Sequence, residues 1–271
     1  MRTRISVFVH QFVRGIMRTL FTVVLGALLT LSIGCSDITL PDDIGNGGGD
    51  QDPKPTEPTV GLIAHLPMNG TAQDVIGTLP TGRIYGATAT ADRFGQTGQA
   101  MRFDGIDDYI EVDARASERL MRFPLTWSVW IRHTGARKYF EWVLGKYLHP
   151  NGDGIGFFYE GSSFGSFYST GFFDNWCRYD GRLIEDGRWH HVVFTLNSMG
   201  MSTYVNGLNQ GTVRWVGAPT ISTSAEPLRF GIIRSVHPTD KPAPFTGDID
   251  DFRVYDRVLS PIEIEQLYQA R

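Results

Sequence analysis

The chain has 271 residues, 41% of them hydrophobic and 20% charged, with 25 basic residues against 29 acidic ones. The first 34 positions hold four of the arginines and no acidic residue, so the rest of the chain is more acidic than the whole. An acidic protein is a poor candidate for binding nucleic acid or an anionic lipid surface.

The first 34 residues have the composition of an export signal. A basic start is followed by an apolar run from Leu20 to Ile33. This order is typical of a secretory signal, and the run is short for a membrane span. We therefore predict a signal peptide over residues 1–34 that is removed from the mature protein.

The apolar run ends at Gly34-Cys35, a small residue directly before a cysteine. This ending resembles a bacterial lipobox, which implies lipidation of Cys35 and attachment to the membrane by the lipid anchor only. Two or more acyl chains hold stably because each buried methylene contributes about 0.8 kcal/mol. Ser36 follows, which in proteins of this class favours the outer membrane, so we predict an exported protein at the outer membrane or cell surface. An ordinary cleavable signal and a retained anchor helix are the alternatives.

Residues 35–58 are predicted to form a disordered tether. Six acidic residues in this stretch face a single lysine, Lys54, and much of the rest is glycine and proline. Such a composition buries too little apolar surface to offset the entropy that is lost on ordering. Proline and like charges keep a linker of this kind extended.

Residues 59–271 are about the length of one domain, enough for a single core. Short segments that alternate apolar and polar residues recur between glycine and asparagine turns, which is typical of antiparallel strands. This pattern predicts an all-β fold, an antiparallel sandwich of two sheets. The predicted strands are Gly61–Leu66, Ala100–Phe103, Tyr109–Val112, Leu125–Arg132, Trp142–Lys146, Gly154–Tyr159, Trp189–Leu196, Met201–Val205, Leu228–Ile233 and Phe252–Tyr255. Cys177 is the only cysteine here, so no internal disulfide is possible, and a lone thiol is more often a small buried hydrophobe.

One helix is predicted, at the C-terminus. Ser260 offers an N-cap, Pro261 suits the first helical position and Glu263 completes a capping box. The apolar residues that follow have the i, i+3, i+4 spacing of one helix face. They are Ile264, Leu267 and Tyr268. This short helix is expected to lie across the sandwich.

Several motifs occur in a fixed order between residues 60 and 271. They are Leu66-Pro67-Met68-Asn69-Gly70, Asp92-Arg93-Phe94-Gly95, Phe103-Asp104-Gly105, Leu125-Thr126-Trp127-Ser128-Val129-Trp130, Trp189-His190-His191-Val192, Tyr204-Val205-Asn206-Gly207 and the stretch from Gly247 to Arg257. Together they resemble the laminin-G-like (concanavalin A-like lectin/glucanase) family of jelly-roll domains, and the last motif is also similar to the closing strand of the pentraxins. The resemblance implies a jelly-roll sandwich that binds rather than catalyses.

Two departures from these relatives bear on chemistry. Pentraxins carry a carboxylate-rich calcium loop before the closing strand, whereas residues 235–242 here hold one acidic residue and a lysine. Concanavalin A-like glycosidases carry two Glu residues that flank an Asp on one strand. The closing strand here has Asp248, Asp250 and Asp251 without that pattern. Asp248 and Asp250 share a strand face and could act as acid and base, but no second pair completes a hydrolytic set, so we expect no enzyme.

The cofactor considered is one structural Ca²⁺. Calcium takes several oxygen ligands, often from separate loops. If the first and last strands pair, as in sandwiches of this family, Asp74, Asp104 and Asp250 could converge into such a site. The alternative is that these aspartates accept hydrogen bonds within turns.

The best candidate for a binding surface is the stretch from Tyr139 to Tyr179, which contains fourteen aromatic residues. Sugar rings present apolar C–H faces that stack on aromatic planes, and their hydroxyls need polar partners. A long loop this aromatic on a rigid β scaffold suggests a recognition surface. The residues predicted to contact carbohydrate are Phe164, Tyr168, Phe172, Asp174, Asn175, Trp176, Arg178 and Tyr179. The alternative is that most of these rings fill the core.

These features predict an exported, lipid-anchored, non-catalytic binding module that recognises a polysaccharide or glycoconjugate. The alternative is a protein–protein adhesion or assembly module whose partner is a surface protein, and a glycoside hydrolase is the weaker alternative. No nucleic-acid partner is expected.

Overall fold

The computed structural model describes residues 56–136, 138–150, 152–170, 174–184, 186–215, 222–239 and 243–270. The predicted signal peptide, the lipidation site Cys35 and most of the predicted tether lie outside these residues. The end of the tether lies within them: Glu57 pairs with Arg253 at 2.7 Å, and the Pro58 carbonyl accepts a hydrogen bond from Tyr255 at 3.0 Å. Contacts with the domain therefore begin before residue 59. Across the described segments, no helix has the length and hydropathy needed to cross a membrane.

The described residues form seventeen strands, one α-helix and two short 3₁₀ helices, the latter at Ala116–Met121 and Gly181–Ile184. The strands are β1 (Leu62–Leu66), β2 (Arg83–Tyr85), β3 (Thr88–Thr90), β4 (Ala100–Asp104), β5 (Tyr109–Val112), β6 (Leu125–His133), β7 (Phe140–His149), β8 (Asp153–Glu160), β9 (Ser163–Thr170), β10 (Asp174–Asp180), β11 (His190–Leu196), β12 (Gly200–Val205), β13 (Leu208–Arg214), β14 (Leu228–Phe230), β15 (Arg234–Ser235), β16 (Ala243–Pro244) and β17 (Thr246–Tyr255). The helix α1 spans Pro261–Gln269.

The strands assemble into two sheets, which we name sheet A and sheet B. Sheet A has the order β13-β12-β11-β6-β17-β4-β3, and β1 also pairs with β17. Sheet B has the order β10-β9-β8-β7-β14-β5-β2. Apart from the short β15 and β16, which run parallel to β7, the pairings are antiparallel. The predicted all-β, two-sheet sandwich with a short C-terminal helix is confirmed.

The main core lies between the two sheets and follows from strand alternation. On β6, Trp127 and Val129 are fully buried in this core. The Trp127 indole donates to the Leu120 carbonyl at 2.9 Å and meets the Phe252 ring edge-on at 5.3 Å. Cys177 is buried in the same core, as expected for a lone thiol, and burial raises the pKa of its thiol.

The helix α1 has the predicted cap and covers the outer face of sheet A. The Ser260 hydroxyl accepts from the Glu263 amide at 3.3 Å, and the Glu263 carboxylate accepts from the Ser260 amide at 2.8 Å. Ile264 and Leu267 are buried in a second apolar cluster with Val193 of β11. Because the neighbours of Val193 along β11 face the main core, this cluster lies on the opposite side of sheet A.

Candidate functional site

Strand alternation divides the aromatic stretch between the two sides of sheet B. The stretch forms β7 and β8, which contain the predicted strands Trp142–Lys146 and Gly154–Tyr159, and also β9 and β10, where a loop was expected. On β8, Phe157 and Tyr159 face the main core, whereas Phe158 faces away from it. The outward-facing rings form a second layer, the outer aromatic layer, made of Phe140, Trp142, Tyr147, Phe158, Phe167 and Trp176.

Three of the residues predicted to contact carbohydrate are enclosed by the main core, and the prediction is wrong for them. Phe164 and Tyr168 are fully buried, and Asn175 is 3% exposed. The Tyr168 hydroxyl accepts from the Ser222 amide at 2.9 Å, and burial raises its pKa to about 12. The physical reason is the period of two along β9 and β10, which places these three positions on the core side.

Three further residues predicted to contact carbohydrate lie on β10 or shortly before it. Tyr179 lies on the core side, half-buried, with its ring 5.5 Å from that of Phe164, and burial raises the pKa of its hydroxyl. Asp174 begins β10 opposite Ser169. Phe172 lies outside the described residues.

Trp176 and Arg178 point away from the core on β10, the edge strand of sheet B. The half-buried Trp176 indole packs against Phe167 and Phe158, with centroid separations of 4.2 and 4.8 Å. The Arg178 guanidinium lies 4.6 Å from the indole centroid and pairs with Glu160 at 2.5 Å. We call Trp176, Arg178 and Glu160 the Trp176 site. The guanidinium lies over the ring, so an apolar ligand face would contact the part of the indole that Arg178 leaves open, and the ion pair would hydrogen-bond the ligand's polar groups.

The outer aromatic layer is held against sheet B by glycines. Gly145 of β7 pairs with Gly156 of β8, and the Trp142 ring lies over both. A Cβ at Gly156 would overlap this ring. Tyr147 stacks on Trp142 at 5.3 Å, and Phe167 meets it edge-on at 5.7 Å. The layer therefore gives Trp176 a densely packed support.

Sequence reasoning missed Glu160 and the supporting rings of Phe158 and Trp142. The alternation Phe157-Phe158-Tyr159-Glu160 contains part of the signal, because a strand places residues 158 and 160 on one face. The sequence does not show that β8, β9 and β10 pair, and this pairing places that face beside Trp176.

The three predicted calcium ligands do not converge. Asp74 instead accepts hydrogen bonds from four backbone amides, those of His65, Ile76, Thr78 and Leu79. Asp250 pairs with Arg93 at 2.8 Å. Both carboxylates therefore serve the fold, one within a turn and the other in an ion pair.

Asp104, the third predicted ligand, belongs to an acidic cluster with Asp107 and Asp108. Their carboxylate oxygens lie within 4.8 Å of one another, and no other such group of His, Cys, Asp or Glu occurs among the described residues. Burial, with the charges of Asp104 and Asp107, raises the pKa of Asp108. The Lys138 ammonium donates to the Gly105 carbonyl in the same turn at 2.5 Å. The cluster could hold a metal, because hard cations take carboxylate oxygens.

The carboxylates of β17 are paired with cations on the outer face of sheet A. Asp248 pairs with Arg102 and Arg132, at 2.8 and 2.6 Å. A β-bulge follows Asp250, and Asp251 adopts a positive φ of 53°. Asp251 accepts a hydrogen bond from His65 and pairs with the guanidinium groups of Arg93 and Arg253.

The pKa values of the two adjacent carboxylates, Asp250 and Asp251, are shifted in opposite directions. Burial and the Asp251 charge raise the pKa of Asp250 to about 7, against the opposing charge of Arg93. Burial alone would also raise the pKa of Asp251, but the hydrogen bond from His65 and the charges of Arg253 and Arg93 hold it well below its usual range. Asp251 therefore carries the fixed negative charge of this network.

Comparison with known families accounts for this architecture. A family model described as the Concanavalin A-like lectin/glucanases superfamily matches residues 104–265, more than half of the chain. The chain belongs to this superfamily. The match includes β7 to β10, so the Trp176 site lies within the superfamily domain. No curated protein matches the chain in sequence.

Solved structures of three proteins show the same superfamily fold. Domain 4 of AbnA, an extracellular arabinanase from Geobacillus stearothermophilus, was solved with arabinotriose; at 19% identity and a TM-score of 0.57, the match covers 76% of this chain and 98% of that one. Trypanosoma rangeli sialidase matches with 19% identity and a TM-score of 0.58 over 78% of this chain and 33% of its own. Botulinum neurotoxin type C, whose cell entry depends on two ganglioside molecules, matches with 15% identity and a TM-score of 0.58 over 77% and 50%.

The present chain thus spans almost all of the arabinanase domain, but a third of the sialidase chain and half of the toxin chain. At these identities the likeness is one of fold. The chemistry of the Trp176 site has to be argued from this chain's own residues.

Proposed function

We propose that this chain is a non-catalytic carbohydrate-binding module that recognises a polysaccharide or glycoconjugate at the Trp176 site. The supporting observation is the Trp176 ring, half-buried on an edge strand, backed by Phe167 and flanked by the Arg178–Glu160 ion pair. The C–H face of a sugar stacks on such a ring, while guanidinium and carboxylate groups hydrogen-bond its hydroxyls. A ring already fixed by its neighbours loses little freedom on binding. The arabinotriose complex of the arabinanase domain supports a saccharide as the ligand class.

Two features support binding without catalysis. Glycoside hydrolysis uses a pair of carboxylates about 5–10 Å apart. Glu160, the carboxylate of the Trp176 site, is held in an ion pair by Arg178. The buried aspartates of β17 belong to the other sheet, where Asp248 and Asp250 are each held by arginine.

A glycan array probed with the full chain tests this proposal. We expect saccharide binding that weakens at least about tenfold with Trp176→Ala, the loss typical of a central aromatic contact. Arg178→Lys keeps the charge but removes the planar fork, so an intermediate loss is expected. Arg178→Lys should unfold at nearly the wild-type temperature, because Arg178 is exposed, whereas Trp176→Ala should unfold at a lower temperature, because its ring packs on Phe167 and Phe158, and is assayed below that temperature.

Tyr85→Ala provides the matched control, because Tyr85 is a partly exposed ring on β2, at the opposite edge of sheet B. Its binding should equal that of the wild type. Equal binding by wild type and Trp176→Ala would overturn the placement of the site. An array without signal, together with a purified surface protein that binds the chain, would favour the adhesion alternative.

We infer that the module is exported and held at the outer membrane or cell surface by lipid on Cys35. The support is the sequence order of basic start, short apolar run and Gly34-Cys35. Metabolic labelling with an alkyne-bearing palmitate should mark the wild type and leave Cys35→Ser unmarked. Equal labelling of both would exclude the anchor at this cysteine.

We also propose one structural calcium ion at Asp104, Asp107 and Asp108 instead of at the predicted trio. Calcium takes six to eight oxygens, so the three carboxylates would supply part of the set. By mass action, calcium at a hundredfold excess over Kd should add about 2.7 kcal/mol to the free energy of unfolding of the wild type and so raise its unfolding temperature. Asp107→Asn should remove this effect, because Asp107 is exposed and its loss costs the fold little. A calcium response that survives Asp107→Asn would place the ion elsewhere.

A further inference from the structure

A pocket of about 310 Å³ opens on the outer face of sheet A, on the opposite sheet from the Trp176 site. It lies between the C-terminal end of α1 and the turn that carries Arg93, and we call it the α1 pocket. Its walls are aromatic, formed by Phe94, Trp130, Trp189 and Tyr268. Trp130 and Tyr268 stack with centroids 5.8 Å apart and an interplanar angle of 21°. The pocket therefore has preformed flat walls.

Arg93 is held rigidly in the wall of this pocket. Its guanidinium carbon lies 4.6 Å from the Phe94 ring centroid and 4.7 Å from that of Trp130. Its two terminal nitrogens donate to Asp250 and Asp251, at 2.8 and 3.3 Å. The side chain is 10% exposed. With two carboxylates against it, this arginine offers no unbalanced positive charge to an anionic ligand.

Two N–H donors at the α1 pocket lack an acceptor. The Arg93 Nε and the Trp189 indole nitrogen are both buried, and neither has a hydrogen-bond partner within the described chain. A buried donor without a partner costs about 1–3 kcal/mol, and folded proteins normally satisfy such groups with water or another polar partner. Both side chains line the same pocket. The described chain provides no acceptor for either donor.

We propose that the α1 pocket is a second saccharide-binding site, which takes one ring of a neutral sugar. A C–H face of the sugar would stack on the exposed Phe94 ring, and its ring or hydroxyl oxygens would accept from Arg93 and Trp189. The volume is at the lower end of ligand pockets, about 300–1,000 Å³, which suits one ring rather than a chain. The proposal rests on the proposed carbohydrate-binding function and makes the domain bivalent.

Isothermal titration calorimetry of the full chain tests the second site, with arabinotriose, xylotriose and cellotriose as probes. Trp189→Phe removes the indole N–H and keeps an aromatic plane, so binding at the pocket should weaken about fivefold, the value of one hydrogen bond. Phe94→Ala removes a wall that is 46% exposed, so it tests the pocket even if Trp189→Phe disturbs the fold. Trp176→Ala, on the other sheet, separates the two sites.

The expected result is two sites in the wild type. One site should remain in Trp176→Ala, and that site should weaken further when Trp189→Phe or Phe94→Ala is added. Binding that disappears with Trp176→Ala and is unmoved by the pocket variants would overturn the second site and leave the first. Binding lost with Trp189→Phe and Phe94→Ala but kept in Trp176→Ala would support the pocket and overturn the Trp176 site. No heat with any probe would overturn both.

Discussion

Sheets A and B both bury side chains on the face that points away from the main core, but the two faces are filled differently. On sheet A, β17 turns Asp248, Asp250 and Asp251 outward, and arginines neutralise them. On sheet B, the outward positions of β7 to β10 are aromatic rings that rest on glycines. Removing one partner of a buried ion pair destabilises the fold, whereas a packed aromatic layer is destabilised when side-chain volume is added. The two faces should therefore have different vulnerabilities.

Asp251→Asn should cause the largest loss of stability. The substitution keeps the shape and tolerates the positive φ, so it removes only the charge that holds His65, Arg93 and Arg253. Both arginine side chains are at most 10% exposed, and each keeps one other carboxylate, Asp250 for Arg93 and Glu57 for Arg253, so the loss should lie at the lower end of the about 3–5 kcal/mol that breaking a buried pair costs. Urea unfolding at neutral pH measures the change. Asp256→Asn, an exposed aspartate at the end of the same strand, is the control and should change stability by less than about 0.5 kcal/mol. Equal effects of the two would show that the network contributes little.

Gly156→Ala tests the aromatic face in the complementary way. The added methyl overlaps the Trp142 ring and the Leu144 carbonyl, so the layer must shift at an expected cost of about 1–3 kcal/mol. Gly211→Ala on β13 is the matched control, because its Cβ would meet only the Cys177 sulfur at 3.2 Å. Gly156→Ala should also weaken saccharide binding, since Trp176 loses its support. If Gly156→Ala were as stable as Gly211→Ala, the Trp142 ring would have moved aside without cost.

Much of the fold could be predicted from the sequence, because alternation and turn residues are local signals. Each of the ten predicted strands is present, and Ser260 caps α1 as its motif indicates. The strands β9 and β10 were interpreted as a loop, since Gly, Ser and Asn residues interrupt their apolar pattern. In the structure, Gly165 of β9 lies against the backbone of β10, and Gly145 and Gly156 of β7 and β8 let the Trp142 ring lie flat on the sheet, so glycine in this stretch indicates close packing rather than a turn.

The candidate site was less predictable, because it depends on which strands become neighbours. The composition located the aromatic stretch, but the face of each ring depends on its place in β7 to β10. Trp176 and Arg178 remained at the surface, while Phe164 and Tyr168 joined the core. The acidic cluster differs from the predicted metal site because Asp250 pairs with the distant Arg93 and Asp74 accepts from nearby backbone amides, whereas Asp104, Asp107 and Asp108 share one turn.

The outer face of sheet A, which carries the aspartates of β17, should also show two effects of pH on stability that oppose each other in the wild type. Asp250, with a pKa of about 7, contributes stability that is present below its unfolded pKa of about 4 and is lost as the pH rises through 7. His191 of β11 is buried on the same outer face of sheet A, with its ring 5.1 Å from that of Trp130. Burial lowers the pKa of His191 to about 3, so His191 contributes stability that is lost as the pH falls from 6.5 to 3. Between pH 5 and 6 the two slopes oppose each other.

Single variants should separate these slopes. In His191→Gln the slope of Asp250 remains, so the free energy of unfolding should fall by about 1.4 kcal/mol per pH unit relative to the wild type. In Asp250→Asn the slope of His191 remains, so the free energy of unfolding should rise by a similar amount per pH unit. Urea unfolding at pH 5.0, 5.5 and 6.0 gives both slopes. Parallel curves for the wild type and the two variants would contradict the assignment. No comparable slope is expected for variants of the outer aromatic layer, whose members carry no charge.

The smallest effect is expected at the cap of α1, which covers the charged face and forms part of the α1 pocket. Ser260→Ala removes the acceptor for the Glu263 amide and should cost about 1 kcal/mol. Ser260→Thr keeps the hydroxyl and should cost less. Because the first turn is also fixed by Arg257, which pairs with Glu263 at 2.6 Å, the loss should appear as faster hydrogen exchange within α1 rather than as global unfolding. Since Tyr268 and Gln269 line the pocket from this helix, local fraying should weaken binding there and leave the Trp176 site unchanged. Equal weakening at both sites would indicate that the two outer faces do not behave independently.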